Sequence, residues 1–399
     1  MKLKIIKFLD VAVEHAIYGL ILFIPISIAL VGVFAVIAVV LFLINKILTL
    51  DFSSFKKNKV LFIFLLLFFV FMGVSLFNSG VLFEKSLRAL LLKWGRFPLL
   101  LWMIIDTFHK TKRQVKAVYV ILLSSVLVGL SVLMQKFFGW EFLRGNALSG
   151  LSSPVTGPFK NQNALAVYLT CVIPIVCSLF LFNWKNFGKK LLFLVISTML
   201  ILSSYWAFCR GGWLGVAGGL FFTILFFNYY RLKTIFWKLF ISFYFIVLPL
   251  FGFILYYFSI RKDSSRFVLF SGAWNMIKEH PFFGIGVGTF MDHIALYSHS
   301  NLSYYAHNCY LQIWAESGIF SLLFFILIIF FVLYKSIEVI VRGEKSFQYF
   351  ALLGLTGGVF GFLIHSFFEV SLYSFQLSFI FWIMLSFIIV LTSNLNKNV

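Results

Sequence analysis

An all-α, polytopic transmembrane helical bundle of about 12 spans follows from three observations on the sequence. Of 399 residues, 62% are hydrophobic and only 12% are charged; soluble domains keep about a quarter charged. Apolar runs recur along the whole length, each with the roughly 18 or more residues that carry a helix across a bilayer. The cationic residues gather in small groups between those runs, as they do on the cytoplasmic side of membrane proteins.

The expected spans are 16–30, 31–49, 59–77, 86–106, 115–135, 163–183, 189–206, 209–228, 235–257, 308–333, 348–368 and 371–391. The basic start, with Lys2, Lys4 and Lys7, precedes no short apolar stretch with a small-residue cleavage site. It reads as a retained first span, not a removed signal peptide. Pro25 and Gly32 argue against one straight helix through the first two spans. With the N-terminus inside, every second loop is basic: Lys46, Lys56, Lys57 and Lys59; Lys110, Lys112, Arg113 and Lys116; Lys185, Lys189 and Lys190; Arg231, Lys233 and Lys238; Lys335, Arg342 and Lys345. That regularity predicts cytoplasmic termini. It also accounts for the net charge of +20 without a nucleic-acid partner. The chain then divides into spans one to nine (1–257), a large outer loop (258–307) and spans ten to twelve (308–399). A second, smaller outer segment covers 136–162. Cys171, Cys177, Cys209 and Cys309 lack zinc spacing and read as small buried side chains.

The polar residues that interrupt this pattern gather on the outer side. In "SSRFVLFSGAWNMIKEHP", Ser264 or Ser265 caps a helix that Pro281 ends. Phe267, Phe270, Trp274 and Ile277 share one face; Ser271, Asn275, Lys278 and Glu279 share the other, which predicts an amphipathic helix that lies on the outer leaflet or packs against the bundle. Arg266 falls in its first turn, either as an anion site at a helix N-terminus or as a surface arginine. Arg210 sits between two apolar segments, facing a cavity or snorkelling to the interface, with Gly211 and Gly212 beside it. His307 opens the tenth span, where the positive helix end favours the neutral imidazole of a general base. Asn308, Gln312 and Glu316 follow at i+4 steps as a polar stripe. They either line an outward-opening cavity or, the stronger reading for Gln312 and Glu316, make hydrogen bonds that hold the bundle together.

Arg88, Lys93 and Arg96 suggest a second anion-facing wall. Lys160, Asn161 and Asn163 begin the sixth span, as cavity lining or as caps. "GIGVGTF" reads as a flexible turn after Pro281. It lacks the Lys-Ser/Thr pair of a phosphate loop, so no nucleotide is expected. Nothing fixes Asp292, His293 and His299 in a metal-binding arrangement, and no metal or other cofactor is expected.

"GPFKNQNALAVYL", "RGGWLGVAGGL", "RFVLFSGAWNMIKEHPFFGIGVGTF" and "HNCYLQIWAESGIFSLL" together resemble the signatures of the O-antigen ligase family of membrane glycosyltransferases. Their order, and the long loop between Arg210 and His307, carry the likeness over about 155–330. The resemblance implies a GT-C-like helical fold with a large periplasmic loop in the bacterial inner membrane. It implies transfer of glycan from undecaprenyl pyrophosphate to a sugar hydroxyl of lipid A–core, with inversion and without metal or nucleotide. Arg210 and Arg266 match the family's donor-binding arginines, and His307 matches its proposed base. Arg88, Lys93, Arg96, Lys160, Asn161, Asn163 and Asn308 are further candidates for substrate contact. A polymerase using the same donor is the nearest alternative. A lipid-glycan transporter is the alternative of another class, disfavoured because the polar residues collect at one membrane face and no repeat is visible.

Overall fold

The computed structural model describes residues 2–150, 152–183, 185–229, 232–247, 249–250, 253, 264–298, 300 and 303–396. The described residues are helical, with no strand among them. Nine helices there are long and apolar enough to cross a membrane, and the chain is a multi-pass helical membrane protein. Of the expected spans, 235–257 is only partly described, as a short helix continued by a π-turn over 236–247. Arg231 and His299 lie outside the described residues.

The first helix, α1 (Lys2–Phe23), starts well before the expected residue 16 because its apolar stripe does: Leu9, Val13, Ala16, Ile17 and Leu20 are buried at helical spacing. The break before α2 (Ile28–Thr49) falls at Pro25, while Gly32 lies inside α2. After the short α3 (Ser53–Lys57), α4 (Lys59–Val74) crosses the bundle. The fourth expected span is three pieces: α5 (Phe83–Arg88), a π-turn (Ala89–Trp94) and α6 (Arg96–Thr107). Then come α7 (Thr111–Phe138), α8 (Gln162–Phe182), α9 (Phe187–Trp206), α10 (Arg210–Phe227) and α11 (Phe236–Ser242). The large loop carries α12 (Ser264–Glu279) and α13 (Phe290–Ser298). The last spans are α14 (Cys309–Arg342), α15 (Phe347–His365) and α16 (Phe375–Leu395).

The core forms where α15 packs between α8 and α10, and α16 packs on α6, α14 and α15. Lipid is as apolar as leucine, so association of these helices relies on close backbone approach. Gly211, Gly215 and Gly219 form an i+4 ridge on α10. A Cβ on Gly215 would sit 2.8 Å from the Gly361 carbonyl oxygen, and one on Gly219 2.7 Å from that of Gly357. At the head of the ridge, Gly211 abuts Phe368, where a Cβ would come within 2.9 Å of the Phe368 Cβ. The ridge thereby sets Arg210 against the turn between α15 and α16.

The loops sort to two ends, as the alternation of charge predicts. At one, Lys46 pairs with Asp106 (2.7 Å), Arg113 with Asp10 (2.6 Å) and Glu14 (2.8 Å), and Lys57 donates to Ser393 (2.8 Å). At the other, Asn78 donates to the Gly284 carbonyl (2.8 Å), Lys85 pairs with Asp292 (2.6 Å) and Asn163 donates to Glu369 (2.6 Å).

The amphipathic helix α12 forms, but its buried face differs from the expected one. Leu269, Ala273, Met276 and Ile277 pack with Ile285, Phe290, Ile294 and Ala315, whereas Phe267 (59% exposed) and Trp274 (45%) face outward. Of the two expected placements the helix takes the second, packed on α13 and α14, and the core stripe is offset to meet them.

The turn after Pro281 is tied down and not flexible. Helix α14 breaks at Gly318, whose φ of 78° no β-carbon accommodates easily. The break leaves backbone carbonyls without their helical donors, and the loop supplies replacements. Ile285 N–H donates to Ala315 O (3.0 Å), and Gly286 N–H to Glu316 O (2.9 Å). In return Ile319 N–H donates to Pro281 O (3.0 Å).

The glycine ridge is directly testable. Gly215→Leu should destabilise the bundle by about 1–3 kcal/mol through overpacking, read as a lower melting temperature in detergent. Gly32→Leu, at a position with nothing within 4 Å of an added Cβ, should melt like wild type. Equal melting of the two variants would contradict the ridge.

Candidate active site

The turn between α15 and α16 (366–374) is where the polar residues meet. Glu369 is its centre. Asn163, in the first turn of α8, donates through Nδ2 to Glu369 Oε2 at 2.6 Å, and the Val370 N–H donates to Oε1 at 3.1 Å. His307 Nδ1 lies 3.3 Å from the same Oε1, in ion-pair range though not aligned for a hydrogen bond. The His307 side chain keeps 27% of its surface accessible. Just behind it, Cys309 N–H donates to Ser366 O (2.8 Å) and Cys309 Sγ to Glu369 O (3.3 Å). These bonds fasten the start of α14 to the turn.

Two helix starts share an uncommon backbone feature. His307 has φ 48°, and so has Phe208, two residues before Arg210. Non-glycine residues seldom adopt positive φ, and such strain concentrates at functional sites. Here it redirects the chain immediately ahead of Asn308 and Cys209, which precede the first residues of α14 and α10.

Four helices present their N-terminal ends toward this turn: α8 through Asn163, α10 through Cys209, α14 through Cys309, and α12 through Arg266. Cys209 Sγ is 3.7 Å from His365 Nε2 at the end of α15. Arg266 acts electrostatically on both Cys209 and His365, and Glu369 does so as well. Arg210 is exposed as the first residue of α10, and Arg266 is half-buried. Helix N-termini and arginines both favour anions, so this arrangement can hold a negatively charged group.

Burial pushes the Glu369 carboxyl up from its ordinary 4.5. The His307 contact, the Val370 N–H and the His365 ring outweigh that and bring it down to about 2. The result is a fixed negative charge against an accessible imidazole. A carboxylate in that place can orient a histidine that accepts a proton and can stabilise the cation that forms.

The remaining candidates are divided by their contacts. Asn308 caps α14, accepting from Tyr310 N–H (2.9 Å) and Leu311 N–H (3.0 Å), and Asn161 caps α8, accepting from Ala164 N–H (2.9 Å). Gln312 and Glu316 are wholly buried. They hold loops: Ala306 N–H donates to Gln312 Oε1 (2.9 Å), Gln312 Nε2 to Glu316 Oε1 (2.9 Å) and Gly288 N–H to Glu316 Oε2 (2.8 Å). Arg96 does not stand on an anion-facing wall with Arg88 and Lys93. Its guanidinium lies over the rings of Phe375 (4.3 Å), Phe97 (4.9 Å) and Phe379 (5.0 Å). The π-turn rotates it away from the exposed Arg88 and Lys93. Lys160 is exposed beside the α8 cap. Asp292 is taken by Lys85, and His293 Nδ1 is 3.0 Å from Thr289 O.

Glu369 and His365 were not among the residues singled out in the sequence. Their signal is "HSFFE", a histidine at the end of one apolar run and an acid four residues on, in the short gap before the last run.

A family model described as O-antigen ligase matches residues 194–326. The matched stretch contains Arg210, Arg266 and His307 and supports the resemblance seen in the motifs. It stops short of Glu369 and begins after Asn163. No curated protein matches the sequence. An enzyme of the membrane ligase type is the reading that this match supports.

The depressed carboxyl sets a pH signature. A carboxyl whose folded value lies below its unfolded one contributes stability above about pH 4.5 and loses it as pH falls towards about 2. The melting temperature of wild type should therefore exceed that of Glu369→Gln by a constant margin from pH 6 to 8. The margin should shrink steadily below about pH 4.5. A margin that grows on acidification would show that Glu369 is not held ionised by its neighbours.

Proposed function

We propose that this protein is an O-antigen ligase. It transfers glycan from undecaprenyl pyrophosphate to a sugar hydroxyl of lipid A–core, at the periplasmic face of the bacterial inner membrane. The observation that carries the reading is the pairing of an accessible histidine with a fixed carboxylate, His307 with Glu369 at 3.3 Å, beside two arginines at helix N-termini.

Each part answers a need of the reaction. The leaving group is a pyrophosphate, and negative charge grows on it as the bond to the anomeric carbon breaks. Arg210, Arg266 and the N–H groups of the helix ends are placed to hold that charge, and fixed donors cost no reorganisation during the reaction. The acceptor hydroxyl is a weak nucleophile. His307 takes its proton as the oxygen attacks, and Glu369 keeps the ring oriented and balances the imidazolium. Attack from the side opposite the pyrophosphate inverts the anomeric carbon. Asn163 holds Glu369 from behind and is a positioning residue.

The basic loops lie at the end opposite this site, which supports cytoplasmic termini and an outward-facing reaction centre. Residues 258–307 then form the periplasmic loop.

Reconstitution tests the reading. Purified protein, polyprenyl-pyrophosphate-linked glycan and lipid A–core, without added nucleotide or divalent metal, should yield glycan on lipid A–core. Longer glycan left on the polyprenyl carrier would instead identify a polymerase with the same donor site, and no transfer to either would favour a transporter. His307→Ala should lower transfer by about 10²–10⁴-fold, the usual weight of a positioned general base, with the protein still inserted. Transfer at the wild-type rate in that variant would remove His307 from the mechanism.

A further inference from the structure

Beside the site, α5, the π-turn and Gly288 enclose an open groove of about 370 Å³. Lys85, Arg88 and Lys93 line it, against a single lining acid, Glu84. Two of the cations are held by exposed partners: Arg88 by Glu84 at 2.5 Å and Lys85 by Asp292 at 2.6 Å. Exposed pairs of this kind are worth little and exchange readily for a better anion. Lys93 makes no ion pair among the described residues. The rim is apolar, with Leu91 59% and Leu92 71% exposed. A cationic wall beside exposed leucines matches a ligand with a charged head and a hydrocarbon tail.

The groove is not isolated from His307. Gly288 lines it, and a Cβ added there would sit 2.6 Å from Ala89 Cβ, so its backbone packs closely on the π-turn. The Gly288 N–H donates to Glu316, Glu316 accepts from Gln312, and Gln312 accepts from the N–H of Ala306, the residue before His307. Groove lining and histidine therefore belong to one hydrogen-bonded frame.

We infer that this groove binds the phosphate-bearing headgroup of a membrane lipid. On the transfer reading above, on which this assignment of the ligand's role rests, that lipid is the acceptor. Lys93 and Arg88 hold the phosphate, and the leucine rim meets the acyl chains.

The test uses the full chain in phosphatidylcholine nanodiscs, with fluorescent monophosphoryl lipid A and fluorescent phosphatidylglycerol as probes. Monophosphoryl lipid A should bind in preference to phosphatidylcholine, less tightly as salt rises. Arg88→Gln and Lys93→Gln should each weaken binding by about fivefold. Lys335→Gln, at the other end of the bundle, should leave it unchanged. Both groove residues are exposed, so these substitutions spare the core. Equal binding by wild type and the double variant overturns the inference. Phosphatidylglycerol binding as tightly, with the same losses, supports a lipid-phosphate site but makes an ordinary phospholipid its occupant. If the probes bind as expected while wild type transfers no glycan, the transfer reading fails and the groove stands. If transfer occurs, the double variant should raise KM for the phosphorylated acceptor and keep kcat.

Discussion

Glu316 is buried without solvent contact inside a long apolar helix, and the loop that carries α12 and α13 hangs from it. Its carboxyl accepts from Gly288 and Gln312, and its own backbone carbonyl accepts from Gly286. Irregular backbone is tolerated at such depth only where other protein groups satisfy it. The break at Gly318 exposes carbonyls, the 281–290 turn needs acceptors, and each supplies what the other lacks. Helices α12 and α13 are placed by this exchange, and Arg266 is placed with α12. The polar residues in an oily helix are thus framework. They build the platform on which His307 and Arg266 stand.

The second constraint is electrostatic. Several helices end at one turn with their positive poles inward, and two arginines stand there as well. Left alone, such a concentration of positive potential would bind anions without orienting them. Glu369 breaks that symmetry. It places one negative charge against His307 within that positive field. The glycine ridge on α10 matters to this arrangement because it lets Gly211 abut Phe368, next to Glu369.

Much of this was legible in the sequence, because the bilayer makes two rules strict. Spans must be long and apolar, and charge inside them must have a reason. Those rules found most of the long helices and singled out Arg210; Arg266 and His307 stood out instead as polar residues at helix starts. The rules missed Glu369 because it lies in a gap too short to read as a loop, and its partners His307 and Asn163 are far away in sequence. Helical periodicity chose the wrong face of α12 because it scores aromatic residues highest, whereas the packed face uses Leu269, Ala273 and Met276. Arg96 looked like one of a cationic set with Arg88 and Lys93 because a regular helix was assumed between them. The π-turn over Ala89–Trp94 removes that regularity.

That π-turn has a consequence for how such a protein can diverge. A residue gained or lost in an ordinary helix swings everything beyond it by about 100°. Such a change would normally ruin the packing of a membrane span. Here the wide turn already separates α5 from α6, and α6 packs on α16. An insertion or deletion upstream of Trp94 can be absorbed in the turn. It would re-aim the exposed cations while α6 stays in register. A length change of a single codon could in this way alter what the exposed cations meet without disturbing the packing of α6.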